Sequence, residues 1–200
     1  MVHDEEESLY ADMPRVEPEG MRGPRVVVAV DGSTGSEAAL RFALEDAARR
    51  GVPVVAVIAY RVPDWQGEFS GLGAIEEKRI RDTVQSQCVD KVRAVLDAAA
   101  RASAEPLPEV HVHAALGSPA DVLVRESQGA DLLVVGSRGH GGFHNMLLGS
   151  TSIQCATHAT CPVTVVHSPE ARRHRLRLHR ERHGRRDQRQ DAAQVAVNSR

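Results

Sequence analysis

Aromatic side chains make up only 3% of this 200-residue chain. Any core must therefore rest on Val, Leu, Ile and Ala, and with 42% hydrophobic residues there is enough of them for one domain. No apolar run approaches the roughly 20 residues of a membrane-spanning helix. The N-terminus reads MVHDEEESLYADM, acidic where a secretory signal is basic and then apolar, so a cytoplasmic protein is expected. The three cysteines, Cys88, Cys155 and Cys161, are odd in number and lack CxxC spacing, which argues against a disulfide framework or a zinc site. Neither GxxxxGK[ST] nor a GxGxxG after the first strand pattern occurs, so the common phosphate motifs are missing.

The ten histidines scatter along the chain. His111 and His113 share one face of a strand pattern, but no third ligand stands nearby in the sequence, so they are expected to be partly exposed polar residues on a sheet. The net charge of −2 hides an asymmetry. Residues 1–23 carry seven acidic and two basic side chains, whereas residues 170–200 carry ten arginines against four acids. Both ends lack apolar periodicity and read as tails. The Arg-rich one could neutralise the phosphates of a nucleic acid or meet another acidic partner, but no aromatic residue interleaves its arginines to stack on bases.

Between the tails, strand and helix patterns alternate. RVVVAVD (25–31) reads as a buried strand, and a helix follows with Ser33 or Thr34 as cap and Gly51 as its end. PVVAVIAY (53–60) is a second buried strand. Residues 61–74 then read as a loop, with Pro63, Gly67, Gly71 and Gly73, before a long helix over about 75–103. EVHVHAAL (109–116) alternates like a strand less buried than its neighbours. Ser118 and Pro119 open a further helix, and DLLVVG (131–136) is another buried strand. A helix from about Ser150 to Thr157 and a last strand, CPVTVVH (161–167), close the pattern. Strands alternating with helices at this spacing specify a three-layer α/β domain with a mostly parallel sheet and right-handed crossovers.

The stretch GSRGHGGFHNMLLGS (136–150) leaves the carboxyl end of the fourth strand pattern, where such sheets collect ligands. Gly136 and Gly139 let a backbone approach closely, and Gly149 does so just before a helix N-terminus. Ser150, Thr151 and Ser152 add hydroxyl donors there. Met146, Leu147 and Leu148 could pin the segment between. From glycines alone, a plain connection with an ordinary N-cap fits as well as two phosphate cradles on one anchored loop. Arg138 is the one permanent cation nearby; the segment between the glycine pairs carries His140, His144 and Asn145 but no lysine.

Gly136-x-x-Gly139, nine residues, then Gly149-Ser150 resembles the ATP-binding signature of the universal stress protein family at every fixed position. VAVDGSTGSEAAL (28–40) and HATCPVTVVH (158–167) are similar to the family's first strand with its helix start and to its closing strand. The resemblance spans about residues 24–169. It implies a five-stranded parallel sheet of order 3-2-1-4-5, of the adenine nucleotide alpha hydrolase-like kind. It implies that Asp31 and the backbone at Ala59 hold adenine, and that Gly136, Arg138 and Gly139 meet ribose and phosphates. Gly149, Ser150, Thr151 and Ser152 would bind the outer phosphates. The implied cofactor is ATP, with Mg²⁺ or Mn²⁺ held mainly through the phosphates, since no carboxylate occurs from Leu132 to Ser168. The implied assembly is a homodimer through the last strand, about Pro162 to His167. The expected function is a nucleotide-dependent stress-response regulator with at most slow ATP hydrolysis. One alternative is an adenylate-handling enzyme of the related α/β class, although DGSTGSE follows the first strand where such enzymes carry SGGxDS or HxGH. Another is a nucleotide-free adaptor that acts through the dimer surface and the Arg-rich tail.

Overall fold

The computed structural model describes residues 23–61, 70–102, 106–139 and 148–168. Both tails, most of the 61–74 loop, and His140, His144, Asn145, Met146 and Leu147 lie outside the described residues. The elements run β1 (Val26–Ala29), α1 (Thr34–Arg50), β2 (Val54–Tyr60), α2 (Ser70–Ala102), β3 (Val110–Leu116), α3 (Pro119–Glu126), β4 (Leu132–Gly136), α4 (Ser150–His158) and β5 (Val163–Val166). The five strands form one parallel sheet in the order β3-β2-β1-β4-β5.

β1, β2 and β4, the three inner strands, are apolar runs because both of their faces are covered. On one face Val26 and Val28 of β1, Ala56 of β2, Val112 of β3 and Val134 of β4 pack with Leu40 of α1 and Leu96 of α2. On the other, Val27, Val57, Leu133 and Val135 pack with Leu123 of α3 and Cys155 of α4. The successive β-α-β crossovers thus alternate in pairs between the two faces, which makes the three layers. The helix ends follow local rules. Ser33 caps α1 by accepting from the Ser36 N–H at 3.2 Å. Gly51 closes α1 in the left-handed region, at φ 68°. Ser118 caps α3 with Pro119 behind it.

Two expectations need correction. The long helix begins at Ser70 rather than near residue 75, because Gly71 and Gly73 weaken a helix by about 1 kcal/mol each without forbidding it. His111 and His113 are buried, 7% and 8% exposed, not partly exposed. β3 is an edge strand, but α2 packs against it, with the Gln85 amide donating to the Val112 carbonyl, and on the other face Ala115 shares a cluster with Val122 and Leu123 of α3. His113 Nε2 faces Glu126 Oε1 at 3.9 Å there, and His111 Nε2 faces Glu109 Oε1 at 3.2 Å.

Arg25, just before β1, closes the far end of α3. Its buried guanidinium donates to the carbonyls of Gly23, Glu126, Gln128 and Gly129 at 2.8–3.2 Å. The Glu126, Gln128 and Gly129 carbonyls lie at and beyond the helix end, where intrahelical donors run out. Among the described residues no helix is long and apolar enough to cross a membrane.

Arg25→Ala is expected to destabilise the fold by about 2–3 kcal/mol, since charge-assisted bonds are lost and carbonyls are stranded; urea denaturation measures it. The thiols give a second test. Burial pushes Cys88 up to about 12 and Cys155 up to about 11, and it raises Cys161 as well. All three stay protonated through neutral pH, so the native protein should react slowly with Ellman's reagent at pH 8 and the unfolded chain rapidly.

Candidate functional site

In the order β3-β2-β1-β4-β5, β1 and β4 are neighbours whose onward connections part. α1 leaves β1 for one face of the sheet, and α4 follows β4 on the other. The divergence opens a crevice at the strands' carboxyl ends. A cavity of about 490 Å³ lies there. Its walls bring together Asp31 from beyond β1, Ala59 from β2, and Gly136, Arg138 and Gly139 from the end of β4. Gly149, Ser150, Thr151 and Ser152 line it from the start of α4. All nine residues expected at the site meet in this one cavity.

Hydrogen bonds tie the two glycine segments to each other. The Gly149 N–H donates to the Ser137 carbonyl at 2.8 Å, and the Ser137 N–H donates to Val166 of β5 at 2.7 Å. The Ser152 hydroxyl donates to the Gly136 carbonyl at 2.7 Å. Ser152 is buried, its hydroxyl proton is engaged, and what it can offer a ligand is its main-chain N–H. Of the expected anchors Met146, Leu147 and Leu148, only Leu148 falls among the described residues, and it lines the cavity.

The N-terminus of α4 differs from those of α1 and α3. Its N-cap is Gly149, with no side-chain hydrogen bond, and the first intrahelical bond runs from the Ile153 N–H to the Gly149 carbonyl. The N–H groups of Ser150, Thr151 and Ser152 therefore point along the helix axis without intrahelical acceptors, at the positive end of the helix dipole.

The glycines divide into two kinds. A Cβ on Gly136 would lie 2.7 Å from the Gly35 carbonyl carbon and 3.0 Å from the Ser36 nitrogen, so Gly136 is demanded by main-chain packing against α1. A Cβ on Gly139 would strike the Asp31 carboxylate. Gly149 is under no such demand: a Cβ there would meet nothing closer than 3.6 Å, and its φ of −72° suits any residue. The space before α4 is left open by the protein itself.

Asp31 has a local role as well as a place in the wall. Its Oδ1 accepts from the Ser33 N–H at 2.9 Å and from the Ser33 hydroxyl at 2.6 Å, which makes the turn through Gly32 at φ 84°. Ala59 contributes backbone. The Val57 carbonyl accepts from Val30 of β1, so by strand alternation the N–H and C=O of Ala59 point the same way, past the end of β1 and into the crevice. The apolar wall was not foreseen from sequence. Val57, Val135, Pro119 and Leu123 form it, and the last two come from α3, which follows a different strand and is carried over the site only by the fold.

Residues 24–167 match the model of the universal stress protein family. The chain belongs to this family. A universal stress protein of Mycolicibacterium smegmatis is 37% identical over 143 residues, covering 70% of this chain and 45% of that protein. One from Mycobacterium tuberculosis is 33% identical over 171 residues, covering 82% of this chain and 49% of its own length. The chain thus spans about half the length of the curated relatives it matches. Among solved structures, UspA of Lactobacillus plantarum has a TM-score of 0.50 at 23% identity, over 73% of this chain and 99% of that one. A universal stress protein solved in complex with cAMP has a TM-score of 0.51 at 24% identity, over 72% of this chain and 97% of its own. These two structures share the fold.

The two kinds of glycine are separable by mutation. Gly136→Ala is expected to lower stability by about 1–3 kcal/mol because backbone must move, and Gly149→Ala to leave Tm within a degree or so of wild type. Parallel thermal melts without ligand measure both.

Proposed function

We propose that the crevice binds ATP and that this universal stress protein acts as a nucleotide-dependent regulator of the stress response, with at most slow hydrolysis. The observation that carries the reading is the uncapped, unobstructed N-terminus of α4 at one end of a cavity whose other end is apolar. Adenine fits between Val57, Ala59 and Leu123, where the Ala59 main chain supplies a donor and an acceptor for the ring edge, beside Asp31. Ribose and the inner phosphate then reach Gly136, Arg138 and Gly139. The outer phosphates meet the N–H groups of Ser150, Thr151 and Ser152 and the hydroxyls of Ser150 and Thr151, with Gly149 leaving the room. The universal stress protein solved with cAMP holds an adenine nucleotide on the same fold.

The donor set fits a metal carried by the nucleotide. Asp31 is the sole carboxylate among the described lining residues, so Mg²⁺ or Mn²⁺ would be held mainly through phosphate oxygens, water and hydroxyls. The same scarcity argues for slow turnover: Asp31 is also the sole candidate base there, and its Oδ1 already accepts two hydrogen bonds. A regulator needs a surface to report occupancy. β5 is an edge strand with all four residues half-buried, and it receives the Ser137 N–H from the crevice. A homodimer through Pro162 to His167 would cover that edge and join it to the site. The Arg-rich segment 170–200 follows directly and is the place to look for an acidic partner.

Isothermal titration of Mg-ATP into the nucleotide-free wild type is expected to show micromolar binding, lost in Gly149→Val/Ser150→Ala at unchanged Tm. A wild type that binds no ATP would overturn the reading in favour of an adaptor that works without nucleotide.

A further inference from the structure

Side-chain charges on the crevice wall cancel. Among the described lining residues Arg138 is the one cation and Asp31 the one anion. A polyphosphate entering the crevice would find neutral donors but no excess positive charge. α2, whose residues are absent from that wall, changes the balance from behind.

Lys91 is exposed on α2, yet the end of its side chain lies over Gly32. A Cβ on Gly32 would come within 2.7 Å of Lys91 Cε and closer still to Nζ, so the missing side chain of this left-handed turn residue is the space that the ammonium fills. Lys91, Gly32 and Arg41 line a second hollow of about 190 Å³ between α1 and α2, where Glu37 stands with Arg41. Val30 and Ser36 line both hollows. One turn divides them: Asp31 looks into the crevice, and Gly32 looks toward Lys91. Ser36 locks that turn, accepting from the Gly32 N–H at 3.1 Å and donating to the Ser33 carbonyl at 2.9 Å. The ammonium also acts at a distance on Cys88, where its charge opposes the upward push of burial.

We propose that Lys91 is a specificity-determining residue of the crevice: standing behind the Asp31–Gly32 turn, its ammonium offsets the Asp31 carboxylate and biases the site toward adenine nucleotides with more phosphate charge. The inference rests on the reading of the crevice as an adenine-nucleotide site. Lys91 needs no direct contact with the ligand to do this. Its charge lies one residue behind the wall, within a Debye length of it, and the effect must grow with ligand charge and shrink with salt.

The test titrates ATP and AMP, with Mg²⁺ and, for the charge comparison, without it so that ATP carries the larger net charge, into wild type, Lys91→Gln and Lys91→Arg at about 0.05 M and about 0.3 M salt, a range over which screening changes severalfold. At low salt Lys91→Gln should weaken ATP roughly three- to tenfold and AMP by less, flatten the salt dependence of ATP affinity, and leave Tm unchanged. Lys91→Arg should restore both the ATP affinity and its salt dependence. Equal losses for ATP and AMP with an unaltered salt dependence would mark a structural role and overturn the proposal. So would ATP affinity untouched by Lys91→Gln, or charge retained in Lys91→Arg without rescue; these outcomes leave the crevice reading standing. A nucleotide-free wild type that binds neither ligand would overturn both.

Discussion

Main chain packed on main chain holds this crevice together. Neither Gly35 at the start of α1 nor Gly136 at the end of β4 has room for a Cβ, because each faces backbone of the other's segment. That contact fixes where α1 departs from β1 relative to where the chain leaves β4. The Asp31 turn is thereby laid against Gly139, and the Gly149 and Ser152 bonds to Ser137 and Gly136 bring α4 to the same point. Three segments far apart in the chain form one wall by contacts that depend on backbone shape more than on side-chain identity.

The crevice wall carries few fixed charges among its described residues. Ser33 and Ser118 each take up one N–H in the first turn of α1 and α3, whereas the first N–H groups of α4 meet no side-chain cap. A helix N-terminus can attract an anion without an ionised side chain, and its strength depends on local geometry rather than on pH. What such a site lacks is discrimination by net charge. A cation outside the wall is a way to supply it, and Lys91 stands where one can act without occupying the cavity.

Much of the fold was legible. Apolar β-branched runs, serine caps, Pro119 and Gly51 mark elements through interactions within a few residues, so strand order apart, the pattern could be read locally. The Gly136, Gly139, Gly149 and Ser150 spacing singled out the site for a similar reason: it falls between a strand end and a helix start. Less legible were properties set by what covers a residue. His111 and His113 sit on an edge strand, yet both are buried, and His113 faces Glu126 at the end of α3. Ser152 looks like a phosphate donor by position, and only the fold shows its hydroxyl bonded to Gly136. Arg25 stands out by no spacing, because its four acceptors include none nearby except Gly23.

By itself the sequence determined the alternating α/β class, the place of the glycine-rich stretch at a strand's carboxyl end, and the residue types available there, since these follow from periodicity and local backbone preference. Tertiary structure alone decided which glycines serve packing and which leaves space, which hydroxyl is spent, and which lysine of α2 reaches the turn behind Asp31. Those are distances between atoms remote in the chain, and no local preference encodes them.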